Sequence, residues 1–223
     1  MAREQRLNRD ANTKKYNPTR IIIASEGKST EIDYFNGLKE RIPKRFENNF
    51  TIITIDRGDD NSSPSNVLHC AEEFIAKLSP KVNTDTDEVC IIVDLDNWRA
   101  SMLSDVLTLC KQKKYLFLVS NPCFELWLLL HHLDCSSLPT EEKDVIMGKK
   151  RHPRKEKQHP IKTRLSSIVS GYNCSKINID QFFPHIATAV TNAKKLDNQS
   201  EDWPNDLGTK VHVIIEKIPG IID

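Results

Sequence analysis

The chain has 223 residues, 38% of them hydrophobic and 28% charged, with 32 Lys and Arg against 31 Asp and Glu. This composition matches an ordinary soluble globular protein rather than a disordered or membrane one, and the length suits one large domain or a core of about 130 residues with an appendage. The near-balance of charge names no partner by itself.

The opening segment, residues 1–19, is a polar, basic arm without the apolar run that directs secretion. The longest apolar stretch, Phe124 to Leu130, is interrupted by Glu125, and it spans about seven residues against the roughly twenty of a membrane helix. The expectation is cytoplasmic residence with no membrane partner. The cysteines at 70, 90, 110, 123, 135 and 174 form no CxxC pair, and several lie inside apolar runs where a reduced thiol acts as a small hydrophobe. His152 and His159 combine with no cysteine pair at zinc-ligand spacing, which argues against structural zinc and against disulfides.

Arg20 to Ala24 reads as a β-branched strand, followed by a turn at Gly27 and a helix from about Thr30 to Ile42, with Ser29 or Thr30 as cap and Ile32, Phe35 and Leu38 on one face. Pro43 closes it. Phe50 to Ile55 predicts a second strand, running into the turn-rich DRGDDNSSPS and a helix from about Pro64 to Leu78. Glu88 to Val93 is a continuous apolar strand ending in Asp94-Leu95-Asp96, with a helix from about Ala100 to Lys111 after it. Tyr115 to Val119 is a fourth strand, leading through Ser120-Asn121-Pro122 into an apolar helix over Phe124 to His132. Strands alternating with helices imply βαβ units and a mostly parallel, Rossmann-like sheet with helices on both faces, here over residues 20–135.

From Ser136 the character changes. Residues 136–223 predict a helical C-terminal portion, with patterns near Ile161 to Val169, Phe182 to Leu196 and Thr209 to Ile218, open to packing as a cap against the sheet. Its basic segment, residues 149–164, carries eight Lys or Arg against Glu156 alone. Lys149, Lys150, Arg151, Arg154, Lys155 and Lys157 are the candidates there for neutralising a nucleic-acid backbone; a solvated loop is the competing reading.

In a parallel sheet the loops past the carboxyl ends of the strands share one rim, and Glu26, Asp94, Asp96 and Glu125 are all placed there. Carboxylates gathered without a matching cation repel one another, and a hard divalent ion relieves that repulsion. Such an ion supports phosphodiester cleavage, with Glu26 as ligand or general acid/base. Acids after buried strands also cap helices, as Asp96 could for the helix near Ala100, and from spacing alone both readings stand. EGKST at residues 26–30 lacks the GxxxxGK[ST] spacing of a P-loop. Lys28 follows the turn as a point charge for a phosphate. Cys123 has no identifiable base and is discounted as a nucleophile, while His131 and His132 read as answering a helix dipole.

Taken together, Glu26-Gly27-Lys28-Ser29-Thr30-Glu31 with Tyr34-Phe35, Asp94-Leu95-Asp96-Asn97 and Ser120 through His131 resemble the RloB-like family, a Toprim-related group found in prokaryotic defence islands. Gly171-Tyr172 with Lys176, and Gly208-Thr209-Lys210-Val211, resemble its weaker C-terminal pattern. The resemblance implies a Toprim core in which Glu26 is acid/base or ligand and Asp94 and Asp96 bind Mg²⁺ or Mn²⁺; beside these three, Glu125, Glu31 and Lys28 are second-tier candidates on their placement in the sequence. It further implies a nuclease acting on RNA such as tRNA, or on DNA, in antiphage defence. The alternative is a non-catalytic subunit that senses a nucleotide or nucleic acid, or binds a second defence protein. A homo-oligomer would help complete a groove.

Overall fold

The computed structural model describes residues 19–58, 61–95, 98–149, 158–198 and 201–222. The described elements are β1 (Arg20–Ser25), α1 (Thr30–Lys39), α2 (Lys44–Glu47), β2 (Thr51–Thr54), α3 (Pro64–Lys77), β3 (Asp87–Asp94), α4 (Ala100–Lys113) and β4 (Leu116–Asn121). They continue with α5 (Glu125–Leu130), α6 (Thr140–Ile146), α7 (Pro160–Ile168), α8 (Ile186–Leu196), β5 (Gly208–Thr209) and α9 (His212–Ile215). The sheet order is β2-β1-β3-β4-β5, with β1 to β4 parallel and β5 antiparallel to β4. This is an α/β fold of the Toprim/Rossmann-like kind.

The strands are apolar on both sides because both sides are covered. Ile21, Ile23, Cys90, Ile92 and Leu118 face one layer, where Tyr34, Phe35 and Leu38 of α1 pack together with Trp127 of α5, Ile161 of α7 and Ile186 of α8. Ile22, Ala24, Val89, Ile91, Val93 and Val119 face the other, against Val67 and Leu68 of α3 and Leu103 and Val106 of α4. The helical C-terminal portion thus shares a core with α1 and the sheet.

Local chemistry explains several boundaries. Ser63 caps α3 by accepting from the Asn66 N–H at 3.3 Å, and Pro64 supplies the first helical position. The expected hydroxyl cap of α1 is not made: Ser29 occupies the cap position without a side-chain bond, and the Thr30 hydroxyl donates instead to the Cys174 carbonyl at 2.7 Å. The buried face of α1 runs through Glu31, Tyr34, Phe35 and Leu38 rather than through Ile32, since Tyr34 turns inward to His131. Gly37 lies on this helix where a Cβ would come within 2.6 Å of Ile179.

The segment read as a helix over Thr209 to Ile218 is instead a short strand followed by one helical turn. Thr209 pairs with Ser120 and Gly208 with Asn121, the Ser120 and Thr209 hydroxyls lie 2.8 Å apart, and the Lys210 N–H donates to Val119 at 3.0 Å. Lys210 is buried and pairs with Asp197, whose carboxylate also faces His212. Two further helices, α2 and α6, escaped the sequence reading because each is short and polar. No helix among the described residues is long and apolar enough to cross a membrane.

α5 is buried throughout and ends at His131, whose imidazole is fully enclosed. Its Nδ1 lies 2.9 Å from the Trp127 carbonyl, which can only accept, so Nδ1 carries the proton and Nε2 accepts from the Tyr34 hydroxyl at 3.1 Å. Burial pushes its pKa down to about 3, with His132 and His185 adding to the effect. A neutral histidine does not answer a helix dipole, so that reading of His131 is corrected to a structural one. Because the folded pKa lies below the ordinary 6.5, the unfolded chain takes up a proton first as pH falls. Stability is then lost between about pH 6.5 and 3, by up to about 1.4 kcal/mol per pH unit from this group. Urea unfolding across that window should show a steeper loss for the wild type than for a Tyr34→Phe/His131→Leu variant, and equal slopes would contradict it.

Candidate functional site

β1 connects through α1 on one face and β3 through α4 on the other, and β1 and β3 are neighbours in the sheet. Their carboxyl ends form a topological switch point, where open α/β sheets place their ligands. Glu26 leaves the end of β1 and Asp94 closes β3.

Glu26 binds back onto the neighbouring strand. Its backbone N–H donates to Ile92 at 2.9 Å. Its Oε2 accepts from the Asp94 N–H at 3.1 Å and from the Trp98 indole N–H at 2.9 Å. The turn behind it is braced by Arg57, which donates from Nε to the Ser25 carbonyl at 2.9 Å and reaches the Glu26 and Asn61 carbonyls. The Ser25 hydroxyl donates to the Gly27 carbonyl at 3.0 Å.

Below this turn lies Glu31, almost fully buried, with Oε1 accepting from the Gly27 N–H at 3.1 Å. Burial pushes its pKa up to about 7, and the charges of Glu125 and Glu26 push the same way against the lowering effect of its backbone hydrogen bonds. A Cβ at position 27 would lie 1.9 Å from Glu31 Oε2, so a larger residue there requires the Glu31 carboxylate to move.

Across the switch point, Asp94 Oδ1 accepts from the Phe124 N–H at 2.8 Å. That bond fixes the loop after β4, which carries Cys123 and Glu125. Asp94, Cys123 and Glu125 each offer one ligand atom, all within 4.8 Å of one another, the metal-competent group among the described residues. Glu125 is 4% exposed, so it faces inward rather than off the core edge. It meets Lys162 of α7, whose Nζ lies 3.0 Å from Oε1.

The sequence-predicted residues therefore separate. Asp94 and Glu125 come together, and Glu26 touches Asp94 through its backbone without joining the three-residue group. Lys28 is exposed at the turn. Asp96 lies outside the described residues, as do Lys150, Arg151, Arg154, Lys155 and Lys157. Lys149 is described and pairs with Asp144 at 2.8 Å, beside α6.

Cys123, Arg57, Trp98 and Lys162 were not read as site residues. Cys123 and Glu125 are two apart just past β4, the same spacing that drew notice to Asp94 and Asp96 past β3. Arg57 is the lone base in the turn DRGDD. Nothing local marks Trp98 or Lys162, since their partners are distant in sequence.

The chemistry of the donor set fits a hard divalent cation through the oxygens of Asp94 and Glu125, with water completing the shell. The Cys123 sulfur is a poor ligand for Mg²⁺ and would be recruited only by a softer ion.

The fit of Gly27 over Glu31 yields a direct expectation. Gly27→Ala should destabilise the fold by about 1–3 kcal/mol through overpacking, and Glu31→Ala in the same chain should recover part of that loss by removing the clashing carboxylate. Additive losses in denaturant melts of the two single variants and the double would contradict this packing.

Among curated proteins and among solved structures nothing matches this chain. The family profile of RloB-like proteins matches residues 21–218, from β1 through the turn after α9. The chain belongs to the RloB-like protein family.

Proposed function

We propose that this protein is a divalent-metal-dependent nuclease of the Toprim type, hydrolysing phosphodiesters of RNA such as tRNA, or of DNA, in antiphage defence. The observation that carries the reading is the convergence of Asp94, Cys123 and Glu125 at the switch point beside Glu26. The defence setting rests on the family.

Asp94 and Glu125 would hold Mg²⁺ or Mn²⁺, with Asp96 following Asp94 on the chain as a further donor. Bound there, the ion would polarise the phosphate and stabilise the leaving oxygen. Glu26, whose Oε2 accepts from the Asp94 and Trp98 N–H groups, would serve as acid/base. Its carboxylate is held ready in one orientation, which reduces the reorganisation needed at reaction. Lys28, exposed at the same turn, offers a point charge for the scissile phosphate. The basic segment 149–164 supplies charge for the backbone of a long substrate.

A second reading has its own support. Glu125 is neutralised by Lys162 and Glu26 is satisfied by N–H donors, so these acids are accommodated without an ion. That arrangement suits a non-catalytic subunit that senses a nucleotide or nucleic acid, or binds a second defence protein.

Cleavage of labelled tRNA, single-stranded DNA and duplex DNA in Mg²⁺ or Mn²⁺ separates the two. The nuclease reading expects EDTA to abolish cutting. Asp94→Asn should reduce it at least about a hundredfold, the upper range for residues that merely orient metal ligands, and Glu26→Gln should also reduce it. Cutting that survives EDTA and Asp94→Asn, or a wild type that binds nucleic acid and cuts none, favours the second reading.

A further inference from the structure

Lys162 belongs by sequence to the basic segment, yet its ammonium is turned into the acidic rim, 3.0 Å from Glu125. The Glu125 side chain is 6% exposed and that of Lys162 35%. A carboxylate so enclosed beside Asp94 needs a partner of opposite charge, and the first turn of α7 delivers one.

The lysine also has a second place to go. It lines a hollow of ≈ 280 Å³ together with Gln158, Ser166, Tyr172, Asn173 and Cys174. The Tyr172 hydroxyl is buried with no hydrogen-bond partner among the described residues. An anion entering this hollow would meet the Lys162 ammonium and the side-chain amides of Gln158 and Asn173.

A divalent ion held by Asp94 and Glu125 would place its two positive charges across one carboxylate from the Lys162 ammonium, so the two cations compete for Glu125. We propose that Lys162 is an internal substitute for the metal: it neutralises Glu125 until the ion binds, then releases it and turns to hold a phosphate of the substrate in the adjoining hollow. This rests on the metal-dependent reading above. It assigns α7 a part in the chemistry of the rim and links the basic segment to the metal.

The test is a Mn²⁺ titration of the full chain, with free ion followed by paramagnetic resonance, for the wild type, Lys162→Met, Lys162→Arg, Glu125→Gln and the Lys162→Met/Glu125→Gln double variant. Lys162→Met should bind Mn²⁺ about two- to fivefold more tightly, the upper part of the span expected for a partly exposed ion pair. Lys162→Arg should stay near the wild type. The double variant should bind no more tightly than Glu125→Gln. The proposal is overturned if Lys162→Met gains nothing, or if its gain persists on the Glu125→Gln background, since a general change of charge does not require Glu125. With Mn²⁺ present, inorganic phosphate should protect Lys162 from acetylation, and no protection would remove the phosphate-holding role. A wild type that binds no Mn²⁺ overturns the metal reading itself, and that failure shows without any variant.

Discussion

The constraint on which this rim depends is the crowding of Glu26, Glu31, Asp94 and Glu125 at the carboxyl ends of three parallel strands. Each acid is relieved in a different way. Glu31 is buried and holds its proton up to near neutrality under the Gly27 N–H. Glu26 accepts from the Asp94 and Trp98 N–H groups. Asp94 accepts from Phe124, and Glu125 meets Lys162. Hydrogen bonds to a carboxylate favour its charged form whereas burial disfavours it, and at Glu31 burial prevails.

The polypeptide after residue 158 is integral to this arrangement. α7 contributes Lys162, the Cys174 carbonyl receives the Thr30 hydroxyl at the start of α1, and the Ile177 N–H donates to Asp33 at 3.2 Å. On the far side of β4, β5 extends the sheet and the Asn121 amide donates to the Pro204 and Asn205 carbonyls at 3.2 and 3.0 Å. These contacts hold the loop carrying Cys123 and Glu125 from both sides. The hollow of ≈ 690 Å³ lined by Thr19, Arg20, Thr51 and Asp87 lies at the opposite rim, by the starts of the strands, remote from the acids of the site.

Periodicity made the sheet legible. Continuous apolar runs such as Val89 to Val93 are dictated by burial on two faces, and the helices between them follow from spacing and from Ser63-Pro64 or the stripe Leu103, Val106, Cys110. β5 was illegible because a two-residue strand has no period, and its pairing is decided by Ser120 and Thr209 meeting across 89 positions of chain. The acids of the site were legible as residues at strand ends. Their partners were not: Trp98, Lys162 and the Phe124 N–H act through tertiary proximity that no local pattern encodes. No local pattern marks Cys123 as a ligand, because its nearness to Asp94 depends on the path of the loop after β4.

The proposed seat of a divalent cation is Asp94 with Glu125. Anomalous diffraction from crystals grown or soaked in Mn²⁺ tests it most directly. The expected result is an anomalous peak between the two carboxylates, with the Lys162 side chain withdrawn from Glu125. Crystals with full-strength protein density, Lys162 still paired with Glu125 and no peak at that position would contradict it.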